Sequence, residues 1–335
     1  MTNPVLVEVL RGGIVESQHR GAAIVCDARG AVVVEVGDAD QPVFPRSAVK
    51  AIQALPLVES GAADTFGFGN RELALACASH SGEAAHAELA AAMLASAGLH
   101  EAALECGSHW PLGDEATRAL ARTGGEPCAL HNNCSGKHSG FVCTCVKEGV
   151  DPAGYVGRNH KSQQWVREAM EAVTGVPHSE DVCAIDGCSI PTYAVPLRSL
   201  ALGFARMATG TSFGPERAKA AQRIFVACMA EPFFVAGTDR MDTRIMQAGK
   251  GRIFTKTGAE GVFCAALPEL GFGIALKCDD GATRAAETMV AALIARLLKD
   301  DDELSATIGA LARPKVLSRR GAEVGEIRPA AAALA

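Results

Sequence analysis

Strand-like segments occur only near the two ends of this chain, and a long helical stretch separates them. Each segment is rich in β-branched or other apolar residues and is bounded by turn residues, most often glycine. They are residues 5–10, 21–27 and 31–36 near the N-terminus, and residues 252–255, 262–267 and 272–278 near the C-terminus. Because such strands must bury their apolar faces in a shared core, we predict an α+β (mixed α/β) fold with one antiparallel sheet built from N-terminal and C-terminal segments.

Apolar residues at helical spacing dominate the middle of the chain. The helices predicted from this spacing cover residues 85–99, 161–173, 216–230 and, after the last strands, 283–299. No proline- or serine-rich linker divides the chain. We therefore predict a single unit, residues 1–317, with a sheet lobe of about residues 1–60 plus 232–317 and a mainly helical lobe of about residues 61–231. Apolar periodicity is lost in residues 318–335, which are expected to form a frayed tail.

Charge and hydropathy exclude several classes of protein. Hydrophobic residues make up 48% of the 335 residues, enough for a sizeable core. The net charge of −6 disfavours a nucleic-acid binder that depends on a basic face. No run of 18 apolar residues and no signal-peptide pattern is present, so we expect a cytoplasmic protein without membrane partners. A homodimer is the commonest assembly for such a chain.

The chain contains twelve cysteines, which without a secretory signal are expected to be reduced thiols. Half of them lie in apolar runs, where cysteine packs as a small hydrophobic residue. These are Cys26, Cys77, Cys143, Cys228, Cys264 and Cys278. In contrast, Cys134 and Cys188 lie among polar residues, which makes them the two candidates for chemistry.

The first candidate for catalysis is the S-x-x-K motif formed by Ser47 and Lys50. Prolines at positions 45 and 56 predict a short helix here, and residues three apart share a helical face. A neutral lysine on that face can take the serine proton and activate the hydroxyl as a nucleophile. The alternative is an N-capping serine beside a solvated lysine.

A second motif strengthens the catalytic interpretation. Lys256, Thr257 and Gly258 form a K-T-G sequence at the end of a predicted strand. Together, S-x-x-K and K-T-G resemble the paired signature of serine β-lactamases and penicillin-binding proteins. Between them, Ser79 and Ser81 lie in an A-S-H-S-G-E segment, where a serine can relay a proton or orient substrate. The alternative for this segment is a turn with an N-capping serine.

Two polar segments between apolar runs suggest a metal site. Residues 131–140 are almost all small or polar, and a second polar segment contains Asp186 and Cys188. Two thiolates, from Cys134 and Cys188, with one nitrogen ligand would form a zinc site that keeps a fourth position open. From the residues alone His138 is the preferred nitrogen ligand, although no C-x-x-C spacing supports the site. Unreactive thiols or a strained loop are the alternatives.

These motifs together resemble the asparaginase II family, the rhizobial-type or class 3 L-asparaginases, which are similar in fold to serine β-lactamases. The matching segments span nearly the whole chain. They are F-P-R-S-A-V-K at 44–50, A-S-H-S-G-E at 78–83, H-N-N-C-S-G-K-H-S-G at 131–140, D-G-C at 186–188 and K-T-G-A-E-G-V at 256–262.

The resemblance implies specific roles for the matching residues. It implies two serine–lysine pairs, Ser47 with Lys50 and Ser79 with Lys256. It also implies a zinc ion, not strictly required for the chemistry, and it places Lys137 rather than His138 in the zinc site. The zinc ligands implied are Cys134, Lys137 and Cys188. The residues expected to contact substrate or support the site are Arg46, Ser81, His138, Asp186 and Gly258.

The reaction implied is hydrolysis of the L-asparagine side-chain amide to L-aspartate and ammonia. We expect Ser47 to attack the amide carbon, with Lys50 as its base, and Ser79 with Lys256 to pass a proton to the leaving ammonia. The zinc is expected to help hold substrate; a metal-activated water is the rival mechanism. Two other functions remain open: another serine acyl-enzyme, acting on β-lactams, amides or esters, and a zinc or thiol sensor.

Overall fold

The computed structural model describes residues 2–331. Its twelve strands are β1 Val5–Arg11, β2 Ile14–Asp27, β3 Val32–Val36, β4 Pro42–Val43, β5 Cys183–Ile185, β6 Pro191–Tyr193, β7 Val195–Pro196, β8 Phe254–Thr257, β9 Val262–Leu267, β10 Phe272–Cys278, β11 Lys315–Leu317 and β12 Glu323–Pro329. Its α-helices are α1 Lys50–Gln53, α2 Leu55–Glu59, α3 Ala62–Thr65, α4 Asn70–Ala76, α5 Ala84–Ser96, α6 Asp114–Arg122, α7 Ser135–Lys147, α8 Lys161–Thr174, α9 Leu197–Thr209, α10 Pro215–Ala230, α11 Pro232–Ala236, α12 Met241–Gly249, α13 Thr283–Leu297 and α14 Asp302–Leu311. Short 3-10 helices cover Arg46–Val49, Glu101–Ala103, Ala129–His131 and Glu180–Val182.

The main sheet is antiparallel and uses both ends of the chain. Its strand order is β11-β12-β1-β2-β10-β9-β8, and β3 pairs with β2. The long strand β2 joins the N-terminal strands to the C-terminal ones, because it pairs with β1 and with β10. The α+β class and the antiparallel sheet from both chain ends are therefore confirmed.

Both faces of the sheet are buried beneath helices. In β9, Val262, Cys264 and Ala266 belong to the core beneath the central helices, whereas Phe263, Ala265 and Leu267 belong to the core beneath α13. Successive side chains of a strand point to opposite faces, so a strand covered on both sides reads as a continuous apolar run. This explains the unbroken V-F-C-A-A-L sequence. Helix α9 packs against β10 and β2 on one side, and α13 packs against β10 and β9.

Most predicted elements lie within a few residues of those observed. The expected frayed tail is wrong, because β12 pairs with β1 from Val7↔Pro329 to Arg11↔Gly325. The backbone hydrogen bonds of β1 and an ion pair between Arg328 and Glu8 hold this strand. Residues 332–335 of the expected tail lie outside the described part of the chain. Within residues 2–331, no helix combines the length and the hydropathy needed to span a membrane.

Gly273 of β10 allows α9 to approach the sheet closely. A Cβ at this position would lie 2.0 Å from the carbonyl oxygen of Ala201 and 2.4 Å from the amide nitrogen of Ala205. Because both are backbone atoms of α9, we expect Gly273→Ala to lower the free energy of unfolding by about 3 kcal/mol, measured by urea denaturation. The matched control is Gly309→Ala in α14, where the nearest atom is 3.8 Å away. It is expected to stabilise the protein by about 1 kcal/mol. Equal stability of the Gly273→Ala and wild-type proteins would contradict this packing.

Candidate active site

Ser47 lies in an unusual turn between β4 and α1. The turn is the 3-10 helix Arg46–Val49, and Arg46 adopts a left-handed backbone conformation with φ of 52°. Such a conformation costs a non-glycine residue roughly 1–2 kcal/mol. The Ser47 side chain is partly exposed, and its hydroxyl forms no hydrogen bond with any described residue. It is therefore the accessible hydroxyl among the predicted catalytic residues.

Gly258, at the end of β8, packs directly against the Ser47 turn. A Cβ there would lie 2.6 Å from the carbonyl oxygen of Pro45 and 3.2 Å from the amide nitrogen of Ala48. Lys256 and Gly258 are two residues apart on an extended segment, so they face the same side of the sheet. Lys256 therefore points toward the side of the sheet on which Ser47 lies.

Lys50 is buried and forms three hydrogen bonds. Its side chain is 1% exposed. Its Nζ donates to the carbonyl oxygen of Ala78 at 2.5 Å, to Ser79 Oγ at 2.9 Å and to Cys134 Sγ at 3.1 Å. The structure thus brings Lys50 to Ser79 and forms no hydrogen bond between Lys50 and Ser47. Residues three apart also share a face in a 3-10 helix, but the three hydrogen bonds of the Lys50 amine are made to Ala78, Ser79 and Cys134.

Lys256 is fully buried, and this burial lowers the pKa of its amine. Its Nζ donates to the carbonyl oxygen of Thr257 at 2.8 Å, and it forms no hydrogen bond with Ser79 among the described residues. Burial lowers its pKa to about 7, and the positive charge of Lys50 contributes to this shift. An amine with this pKa is neutral in about half of the molecules at pH 7.

The segment from Ser79 to Ser81 is held by its backbone and by the His80 ring. The Ser79 N–H donates to the carbonyl oxygen of Val235 at 2.9 Å, and the His80 N–H donates to that of Asn133 at 3.2 Å. His80 Nδ1 accepts from the Gly82 N–H, which leaves Nε2 as the donor to Ser135 Oγ at 2.9 Å.

A cavity of about 730 Å³ lies beside this segment. Ser81 lines it, although the Ser81 hydroxyl itself donates to the carbonyl oxygen of Ala236 at 3.0 Å. Four carboxylates also line the cavity, those of Glu83, Asp114, Glu115 and Asp239. Ser81 thus connects the predicted site to an acidic cavity, while Ser47 and the two lysines lie outside the cavity lining.

Arg46 and Asp186 bind each other at the edge of the site. Arg46 donates from Nε at 3.0 Å and from a terminal nitrogen at 2.8 Å to one carboxylate oxygen of Asp186. Although burial alone would raise the pKa of Asp186, the Arg46 hydrogen bonds and nearby Lys137 give a net lowering. Asp186 is therefore a carboxylate at neutral pH, and it restrains the strained Arg46 turn.

The three predicted metal ligands form one buried cluster. Lys137 Nζ donates to Cys188 Sγ at 3.0 Å, and Lys50 Nζ donates to Cys134 Sγ at 3.1 Å. The neighbouring Cys188 thiol, together with Lys50 and Lys137, holds the pKa of Cys134 well below its ordinary value. The neighbouring Cys134 thiol and burial raise the pKa of Cys188. Although burial would lower the pKa of Lys137, the two thiol groups raise it.

The donor set of this cluster fits zinc. Two sulfurs and one nitrogen are donors that zinc accepts, all three residues are buried, and Lys137 and Cys188 are in contact. Three protein ligands would leave a fourth position for substrate or water. Among residues 2–331, no group of three or more His, Cys, Asp or Glu side chains is placed to hold a metal. The third donor would therefore have to be the Lys137 amine.

His138 lies next to this cluster but is bound to another residue. It is fully buried, and its Nδ1 lies 2.6 Å from the Tyr155 hydroxyl. That hydroxyl also accepts a hydrogen bond from the Glu105 N–H. Nε2 of His138 has no hydrogen-bond partner in the described part of the chain.

Sequence reasoning missed Asp242, which lies next to the K-T-G segment. Its side chain is 1% exposed and accepts a hydrogen bond from the Thr257 N–H at 2.6 Å. Asp242 lies in the first turn of α12, where an acidic residue is common. No sequence signal therefore distinguishes it from a residue that only stabilises the helix.

The family assignment rests on one of three comparisons with known proteins, the match to a family profile. A search of curated proteins gives no match at the significance threshold. Among solved structures, Mglu aligns with 85% of this chain and 67% of its own, at 16% identity and a TM-score of 0.44. A β-lactamase from Mycobacterium bovis aligns with 87% of this chain and 93% of its own, at 13% identity and a TM-score of 0.41. The profile of the L-asparaginase II family matches residues 7–329. The match spans nearly the whole chain, and the protein belongs to the L-asparaginase II family of amidohydrolases.

Proposed function

We propose that this protein hydrolyses the side-chain amide of L-asparagine and that Ser47 is the nucleophile. The observation that carries the proposal is the position of Ser47, a partly exposed hydroxyl on a strained turn packed against the K-T-G segment. A buried lysine with a pKa of about 7 points to the same side of the sheet. This combination of an accessible hydroxyl and a neutral amine suits nucleophilic catalysis.

In the proposed first step, Ser47 Oγ forms a bond to the amide carbon and its proton passes to a lysine. The sequence motif assigns the proton to Lys50, but the hydrogen bonds favour Lys256. All three Nζ donors of Lys50 face acceptors, whereas Lys256 has one hydrogen bond, to Thr257. Lys256 then returns the proton to the amide nitrogen as the carbon–nitrogen bond breaks, and ammonia leaves a β-aspartyl ester on Ser47.

In the second step, water attacks the ester carbon and gives a proton to Lys256. The Ser47 oxygen leaves the carbon and takes this proton back, so that L-aspartate is released and the enzyme is restored. Ser79, whose hydroxyl is held by Lys50, is proposed to donate a hydrogen bond and relay protons within the network. Asp186 and Arg46 are proposed to hold the Ser47 turn and to contact the substrate at the site edge.

We also propose that Cys134, Lys137 and Cys188 bind zinc. Bound zinc would act as a Lewis acid that anchors substrate oxygen atoms. The support is the compact sulfur and nitrogen donor set, with Lys137 at 3.0 Å from Cys188. Lys137 must lose its proton to bind the metal, so zinc affinity is expected to rise with pH.

Purified protein should therefore contain zinc close to equimolar with the chain, measured by plasma mass spectrometry. Cys188→Ala is expected to lose this zinc and to raise KM for asparagine more than it lowers kcat. Cys26→Ala, which truncates a buried cysteine of β2, is the control and should retain the metal. Full zinc content in Cys188→Ala would contradict the ligand assignment.

The proposed activity is tested by ammonia release from L-asparagine, compared with hydrolysis of a chromogenic β-lactam. We expect ammonia and aspartate in equal amounts, and negligible turnover of the β-lactam. Absence of ammonia from asparagine, or β-lactam hydrolysis with a comparable kcat/KM, would overturn the proposal in favour of another serine acyl-enzyme.

A further inference from the structure

Asp242 joins the start of α12 to the strand that carries Lys256. Its Oδ1 accepts from the Thr257 N–H at 2.6 Å, and its carbonyl oxygen accepts from Thr255 Oγ1 at 3.4 Å. Thr255 and Thr257 flank Lys256 in β8. Through these two hydrogen bonds, the first turn of α12 holds the Thr255 side chain on one side of the lysine and the Thr257 backbone on the other.

The second carboxylate oxygen of Asp242 has no hydrogen-bond partner among residues 2–331. A buried carboxylate oxygen without a hydrogen bond is costly unless a nearby positive charge compensates for it. Asp242 is 1% exposed and Lys256 is fully buried, so water screens their interaction little. The buried carboxylate therefore favours the charged form of the buried amine, with neither a salt bridge nor a hydrogen bond between these two described groups.

Asp242 is the carboxylate among the four described residues with the largest charge effects on the Lys256 pKa. The others are Lys50, Arg240 and Cys134, and the thiols of Cys228 and Cys264 also interact with Lys256. Lys50 and Arg240 favour the neutral amine, as does burial, whereas Asp242 favours the protonated amine. The Lys256 pKa of about 7 is the balance of these opposing effects.

A second carboxylate, Glu287 of α13, lies near Asp242. Burial and the Asp242 charge raise the pKa of Glu287, while Arg240 and Arg244 oppose that shift. The largest charge effects on the Lys256 pKa come from Asp242, Lys50, Arg240 and Cys134, and Glu287 is not one of these four. It therefore offers a control in which a neighbouring carboxylate is neutralised without removing the charge that faces the lysine.

We propose that Asp242 is a positioning residue for the hydrolysis. It holds the Lys256 backbone beside the turn that carries Ser47, and it supplies the buried negative charge that faces the Lys256 amine. This inference rests on the proposed function, because it assigns Asp242 a role through the base of that reaction. Asp242 does not itself contact the substrate.

The test is Asp242→Asn, which keeps the side-chain shape and an oxygen that can accept from Thr257. Loss of the negative charge disfavours the protonated amine, so the midpoint at which Lys256 gains its proton should fall by about one pH unit. The rise of kcat/KM for asparagine with pH should shift to lower pH by the same amount. Asp242→Glu, which retains the charge, should keep the midpoint close to that of the wild type.

The pH at which Lys256 is half protonated is also measured without substrate, from the pH dependence of the ¹³Cε resonance in protein with labelled lysines. The Lys256 resonance is assigned as the one that is missing from the Lys256→Met variant. Two controls should leave this midpoint in place. Glu287→Gln neutralises the neighbouring carboxylate, and Thr243→Val disturbs the same helical turn by removing hydrogen bonds to Gly237 and Pro232. If Asp242→Asn does not fold, Asp242→Ser provides the same neutralisation in a smaller side chain.

An unchanged Lys256 resonance midpoint in a folded neutral variant would overturn the proposal. So would an equal shift in Asp242→Glu, because that result would assign the effect to local packing rather than to charge. Failure of the proposed function looks different: wild-type protein would release no ammonia, while the resonance midpoint would still report whether Asp242 acts on Lys256.

Discussion

Ser47→Ala is expected to lower kcat for asparagine hydrolysis by a factor of about 10⁴ or more, because it removes the atom that bonds to the amide carbon. Ser47 is partly exposed and its hydroxyl forms no hydrogen bond with the described residues, so the melting temperature should remain close to that of the wild type. The measurement is ammonia release at saturating asparagine, paired with thermal unfolding.

The control for this variant is Ser96→Ala, the same change at the end of α5, where the hydroxyl bonds only the Met93 carbonyl oxygen. It should retain full activity. Substantial turnover by Ser47→Ala would refute the nucleophile assignment. If Ser79→Ala were then inactive, the serine bound to Lys50 would become the nucleophile.

Lys256→Met should lower kcat by a factor of about 10²–10⁴, since it removes the proposed acid–base group. The Lys256 pKa is lowered to about 7, so the active, neutral amine predominates above pH 7 and is lost below it. Wild-type kcat/KM should therefore rise with pH through about 7. The variant should lose this dependence along with most of its activity.

Some loss of stability is expected, because methionine fills a similar volume but removes the positive charge that acts on the buried Asp242 carboxylate. Thermal unfolding measured beside kcat shows whether the variant remains folded. Lys277→Met on β10 is the matched control, because Lys277 lies in the same sheet and donates to the carbonyl oxygens of Glu260 and Cys278. If the residual activity of Lys256→Met still rose with pH through about 7, a group other than Lys256 would be responsible for the pH dependence.

The sheet was predictable from the sequence where strands are buried on both faces. β9 and β10 agree with their predicted bounds, because continuous apolar runs end at clear turn residues. β12 was not predictable, since charged residues such as Glu326 and Arg328 interrupt its apolar pattern. Its stability comes from β1, more than 300 residues away in the sequence, and from ion pairs such as Arg328 with Glu8.

The site was predictable as a set of residues but not as a set of contacts. The motifs identify Ser47, Lys50, Ser79 and Lys256, yet the hydrogen bond between Lys50 and Ser79 joins residues 29 positions apart that only the tertiary fold brings together. Spacing within one helix does not predict that contact. Asp242 was missed for a related reason, because its importance arises only when α12 packs against β8.

The most direct measurement of the central claim is the mass of the protein trapped during turnover. Wild-type protein mixed with asparagine and rapidly quenched in acid should carry one aspartyl group, and peptide mapping should place the ester on Ser47. Ser47→Ala should remain unmodified under the same conditions. An aspartyl group on Ser79, or asparagine hydrolysis that persists in Ser47→Ala, would contradict the account.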